Sequence, residues 1–383
     1  MITHLTVSMS AAELSRVAGW CEPASGASSP TGATMQSHPG GATPLRQFAA
    51  MTFAAASVIS PAMKHPITFA LILVAILLPR QALANHGPAT SAGGVTVESA
   101  EPLPEGEVAL VLRENYTSYE DLTRAELEAR AAAAGGFDYL DESFITTLGI
   151  FYGVTDNFDL SASIGWYSGR GFVDAEGDEH GEAGEESSVG NPTGLTDLNM
   201  RGRLRVATTS NSSFALLGGV VAPTGDRSER LSNGDTLDPS SQPGTGRFGL
   251  QGGVAFTHAF ISDVKLDSSS VYTHRFERDG VRVGDRLDTG FSLALQFTEF
   301  HAARARLSLF GEFNHIWLDK DESNEGRNGN SGGTSMFFTT GLRLDVADRL
   351  SVTVAPSLPL YQDSNGDQVE VDYKLTGMLM VRL

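Results

Sequence analysis

Arg201, Arg203 and Arg205 stand at every second position of a stretch that also holds Met200, Leu204 and Val206. Spacing of two puts side chains on one face of a β-strand. Arg304 and Arg306 repeat the arrangement, with Glu312 on the same parity, and Asp372 and Lys374 do so near the C-terminus. A ladder of charges along strands can line a water-filled passage and select permeants by its field. The same charges can instead pair and fill a narrow lumen, and a polar filling still defines the path around it. The residues expected to line such a pore are Arg201, Arg203, Arg205, Arg304, Arg306, Glu312, Asp372 and Lys374.

Catalytic chemistry has little support. His258, His274, His301 and His315 are scattered, and neither a G-x-S-x-G nor an H-E-x-x-H motif occurs. Asp319, Asp321 and Ser323 share the opening spacing of a calcium loop, but Asn324 stands where that loop needs glycine. The strongly acidic stretch 169–193 reads as a solvated, mobile loop rather than a cation site. No enzyme activity, metal or cofactor is expected.

The chain has 383 residues, with 46 acidic against 27 basic ones and a formal net charge of −19. Such a balance excludes nucleic acid as a partner, because phosphate binding needs a basic face. Cys21 is the only cysteine, so no disulfide framework exists.

The elements that position the charges begin after an export signal. Ile67 to Leu78 is apolar except for Thr68; Lys64 precedes it and Ala82-Leu83-Ala84 follows. A basic start, a short apolar core and an A-x-A site describe a signal peptide over 63–84. The core would span only roughly 18 Å as a helix, short of a hydrocarbon layer of about 30 Å. Residues 1–62 then read as a disordered, mis-assigned upstream extension, and the Gly/Pro/Ala-rich stretch 85–106 as a flexible periplasmic arm.

From 107 to 383 the sequence falls into twelve segments of period-two alternation: 107–116, 142–154, 157–168, 194–206, 213–223, 246–260, 264–277, 285–298, 303–317, 335–346, 350–359 and 369–383. Short connections such as Thr155-Asp156 alternate with long ones such as 117–141, as in membrane barrels. The last segment sets Val371, Tyr373, Leu375, Leu379, Val381 and Leu383 opposite Asp372, Lys374, Thr376, Met378 and Met380. The expected fold is therefore all-β: a transmembrane antiparallel up-and-down barrel of about 12 strands in the cell outer membrane. Leu122 to Ala134 departs from this pattern, because its strong helix formers predict a short helix in the first long loop.

Several turns carry a family likeness. They are Gly194-Leu195-Thr196-Asp197-Leu198, Ala222-Pro223-Thr224-Gly225-Asp226, Gly244-Thr245-Gly246 and Pro359-Leu360-Tyr361-Gln362, followed by Asn365-Gly366. In order and spacing they resemble the outer-membrane transporter family labelled "MetA-pathway of phenol degradation". That resemblance implies a channel for small, often aromatic or apolar organic molecules. The expected partners are outer-membrane lipid and lipopolysaccharide, the outer-membrane assembly machinery acting on the C-terminal strand, and a small-molecule permeant. The alternative function is a closed structural or surface-interaction barrel whose acidic outer loops bind cations, lipopolysaccharide or a partner.

Overall fold

The computed structural model describes residues 94–383 apart from 135, 178–182, 231–233, 235–236, 238–240, 301–304 and 325. The expectations for 1–62 and 63–84, the first part of 85–106, and Arg304 lie outside the described residues.

Twelve strands form the wall: β1 (Val108–Tyr119), β2 (Glu142–Thr155), β3 (Phe158–Arg170), β4 (Leu198–Thr208), β5 (Ser212–Ala222), β6 (Gly249–Ile261), β7 (Val264–Arg275), β8 (Arg286–Phe300), β9 (Ala305–Leu318), β10 (Gly333–Val346), β11 (Leu350–Ser364) and β12 (Val371–Arg382). Each pairs antiparallel with its chain neighbour, and β1 closes on β12 through registers such as Leu112 opposite Leu379. The chain is thus a closed 12-strand barrel, which removes every sheet edge from the lipid.

Alternation decides what faces where. On β4, Leu204 is 43% exposed while its neighbour Arg203 is 3% exposed. Leu148 and Ile150 of β2, Leu293 and Leu295 of β8, and Leu342 and Leu344 of β10 extend the outer apolar band. Asp267, Ser292, Glu312 and Arg343 are buried inside. An apolar exterior around a charged interior is the inverse of a water-soluble protein and places the barrel in the outer membrane. Short turns join strands at one end; Ala347 and Asp348 between β10 and β11 both take positive φ, at 51° and 57°. Two successive left-handed residues match the twist of a tight hairpin.

The long connections lie at the other end. Helix α1 (Arg124–Ala134) starts on a capping box: the Thr123 amide donates to Glu126 Oε2 at 2.8 Å. Donation by the Thr123 hydroxyl and amide holds the Glu126 carboxyl below its ordinary range. Leu127 and Ala131 of this helix pack on Phe137 and Tyr139, with Val173 and Val369 against them. The acidic stretch departs from expectation, since Phe172–Gly177 and Ala183–Gly190 pair with each other and with Gly136–Tyr139. Its anchors are apolar: Phe172 is buried with Leu140 and Leu237.

Residues 94–106 also correct the expectation of a flexible periplasmic arm. Val95, Val97, Ala100 and Leu103 are buried inside the barrel. The segment lacks periodicity because it forms no strand of its own. Its backbone groups bond instead to charges on the inner wall, and such bonds demand no side-chain pattern.

Candidate functional site

The inner wall and this N-terminal segment form one polar assembly. Glu312 of β9 accepts from the Val95 amide at 2.8 Å, the Thr96 amide at 3.2 Å and Asn314 Nδ2 at 2.7 Å. The Thr96 hydroxyl also donates to it. A Cβ on Gly94 would meet Glu312 Oε2 at 1.5 Å, so only glycine lets the backbone approach this closely. From Val97, which abuts Gly290, the chain descends toward the short-turn end. Glu98 pairs with Arg201 at 2.6 Å, the Ala100 amide donates to Thr257 Oγ1 at 2.9 Å, and Glu101 pairs with Lys265 at 3.2 Å. The Leu103 amide then donates to Asp159 Oδ2 at 2.8 Å, and the Glu105 amide to Asp156 Oδ1 at 3.3 Å.

Around this segment the short-turn half of the lumen is filled. Arg203 is ion-paired with Asp159 and donates to the Ser99 carbonyl at 3.0 Å. Asp267 accepts from Thr257 at 2.6 Å, Arg343 donates to Thr353 at 3.2 Å, and Phe310 is buried with Val95, Leu103 and Met380. The opposite half holds a cavity of about 420 Å³ whose floor is Val95 to Glu98. Its lining includes Arg113, Arg201, Arg286 and Lys374 together with Phe337 and Asp288. Arg286 is clasped by Asp288 at 2.6 Å and Arg201 by Glu98. Arg113 and Lys374 have no carboxylate within ion-pairing distance among the described residues; Lys374 Nζ sits 3.8 Å from the centre of the Phe337 ring.

The pore residues expected from sequence therefore occupy different places. Arg201 and Lys374 line the cavity, and Glu312 anchors the segment beneath it. Arg203 is sealed in the filled half. Arg205 is at the short-turn rim, donating to the Asp156 carbonyl at 2.9 Å, and Arg306 is tied to Asp348 in the turn at 2.5 Å. Asp372 is exposed near the long-loop end, and Arg304 lies outside the described residues. Sequence reasoning missed Arg286 and the whole contribution of Val95 to Glu98.

Three of the turns that carry the family likeness, 194–198, 222–226 and 244–246, converge on one knot at the rim. Asp197 accepts from the Gly225 amide at 3.0 Å and the Thr245 amide at 2.8 Å. The Leu195 amide donates to Asp226 at 2.7 Å and the Leu198 amide to Thr224 at 3.0 Å. A Cβ on Gly225 would meet the Gly244 Cα at 2.7 Å, so the two glycines permit the crossing. These motifs tie long loops to the wall.

The fold is similar to the COG4313 outer membrane channel from Pseudomonas putida F1, with a TM-score of 0.51 and 12% identity over 76% of this chain and 100% of that one. Weaker likenesses include the KdgM porin, with a TM-score of 0.37 and 8% identity over 71% and 98% of the two chains. LpxR from Salmonella typhimurium matches with a TM-score of 0.36 and 12% identity over 72% and 99%. No curated protein matches the sequence. A family model does match, over residues 129–357, from β2 through most of β11 together with the rim knot. With its outer-membrane barrel in place, this chain belongs to the family described as "Putative MetA-pathway of phenol degradation".

Proposed function

We propose that this protein is a gated outer-membrane channel for small organic molecules, aromatic and apolar ones included, with residues 94–103 as the gate. The observation that carries the reading is the cavity of about 420 Å³ floored by Val95 to Glu98. That volume suits a small organic ligand, and the lining sets apolar surface from Val95, Val97, Ile145 and Phe337 beside six charged side chains, Glu98, Arg113, Arg201, Arg286, Asp288 and Lys374. The floor is a chain segment held by hydrogen bonds and ion pairs, so it can leave without rupturing the wall. Residues 63–84 would export the chain to its membrane.

Planar-bilayer recording and liposome swelling test this. Purified barrel should show discrete opening events, and a folded protein with no permeability above background would leave the closed surface barrel as the reading. The field in the cavity is positive, because Arg113 and Lys374 lack paired acids. Anions should therefore cross more readily than cations, and Lys374→Glu should lower the anion-to-cation permeability ratio, measured from reversal potentials in a salt gradient. An unchanged ratio would remove Lys374 from the path.

A further inference from the structure

Strands β11 and β12 pair from Leu350 opposite Val381 up to Ser357 opposite Lys374, and there the ladder ends. Beyond it β11 continues to Ser364, paired only with β10, from Phe337 opposite Pro359 to Gly333 opposite Ser364. Over the same height β12 pairs only with β1, up to Val371 opposite Tyr119. The wall thus carries a seam in its long-loop half. Its cause is chemical: Pro359, just beyond the last pair, has no amide hydrogen to donate, and proline belongs at strand edges and bulges. The register slips between Met336 and Phe337, leaving Leu360 as the extra residue, 59% exposed.

One side chain replaces the missing rungs. Gln362 Nε2 donates to the Val371 carbonyl at 3.0 Å, and its Oε1 accepts from the Val371 amide at 3.0 Å. Rotating this one amide away would release both bonds, whereas a regular ladder would have to break rung by rung. On the inner side the seam borders the cavity: Ser357, Lys374 and Phe337 all line it, and the Lys374 ammonium reaches past β11 to the Phe337 ring on β10. On the outer side are exposed Leu360 and Tyr361, and the ring cluster Tyr373, Tyr116 and Phe144, with centroids 5.8 and 4.9 Å apart.

We infer that the β11–β12 seam is a lateral portal through which apolar aromatic molecules pass between the lumen cavity and the outer leaflet, with Gln362 as its latch. The inference rests on the channel reading and names a second route through it. A path edged by an aromatic ring inside and apolar side chains outside suits a flat apolar solute. Ions would gain nothing from it, since leaving water for lipid opposes them.

The test separates the two routes. Naphthalene entry into proteoliposomes with lipopolysaccharide in the outer leaflet is followed by fluorescence, beside ion conductance of the same full-length protein. Gln362→Ala should speed naphthalene entry several-fold while single-channel ion conductance stays unchanged. Leu358→Cys with Tyr373→Cys, oxidised to a disulfide across the seam, should slow it below wild type, and reduction should restore it. Naphthalene entry unaltered in Gln362→Ala, with ion conductance intact, overturns the portal and leaves the channel standing. Entry unaltered by a disulfide confirmed on a gel overturns it equally. Absence of ion conductance in wild type would overturn the channel itself.

Discussion

Removing residues 94–103 is expected to turn a channel that opens briefly into one that conducts persistently. The segment fills the centre of the short-turn half through contacts to five strands: Glu312 on β9, Arg201 and Arg203 on β4, Thr257 on β6, Lys265 on β7 and Asp159 on β3. None of these is a rung of the wall, so the barrel should still assemble without it. A point substitution should reproduce part of the effect. Glu312→Gln keeps the shape but gives up the charge that binds the Val95 and Thr96 amides. A hydrogen bond to a charged group contributes about 1.5–3 kcal/mol. Losing the equivalent of one such bond should raise the population of the displaced segment roughly tenfold or more. Single-channel recording reads this as a rise in opening frequency, with the conductance of the open state unchanged. If the excised variant folds and conducts no better than wild type, the wall side chains alone close the lumen and the gate assignment fails.

The wall was legible in the sequence because the membrane imposes a rule on every strand residue. Leu204 must face lipid and Arg203 must not, so parity alone orients the whole of β4. All twelve predicted segments correspond to strands for this reason. The helix, expected over 122–134 and found at Arg124–Ala134, was legible through local propensity. The buried course of residues 94–103 was not, because Val95, Thr96 and Leu103 engage Glu312 and Asp159 through backbone amides that any residue possesses. Its low-complexity composition reads as a tether whether or not a lumen receives it. The role of the family turns was hidden for a related reason. Asp197 looks like a lumen charge by parity, yet the Gly225 and Thr245 amides consume its carboxylate at the rim. The predicted end of the eleventh segment at Pro359 was early. Proline reads as a strand terminus, but β11 needs donors on one side only once β12 has parted from it, and it runs on to Ser364. Thus β11 outlasts its predicted end because Pro359 breaks a ladder without breaking the strand.

The largest loss of stability should come from Arg203→Ala. Arg203 and Asp159 are both sealed from solvent, at 3% and 2% exposure, and form an ion pair across β3 and β4, where the two residues are directly opposite in register. Removing one partner leaves the other charge buried and uncompensated, which costs about 3–5 kcal/mol. Among the described residues, Asp159 would keep only the Leu103 amide as a donor. The same substitution frees the Ser99 carbonyl, so the gate loses a second tie at the same height. Two measurements should therefore move together: the urea midpoint of the folded barrel falls, and channel opening becomes more frequent. Arg203→Met combined with Asp159→Leu removes both charges and keeps apolar bulk, and replacement of a buried pair in this way is often neutral or stabilising. The double variant should regain most of the lost urea midpoint while its opening frequency stays high, because neither Leu nor Met can bond to the Leu103 amide or the Ser99 carbonyl. Recovery of both properties together would mean that the pair acts on the gate only through the stability of the wall. Recovery of stability alone would assign to Asp159 and Arg203 a separate hold on the segment.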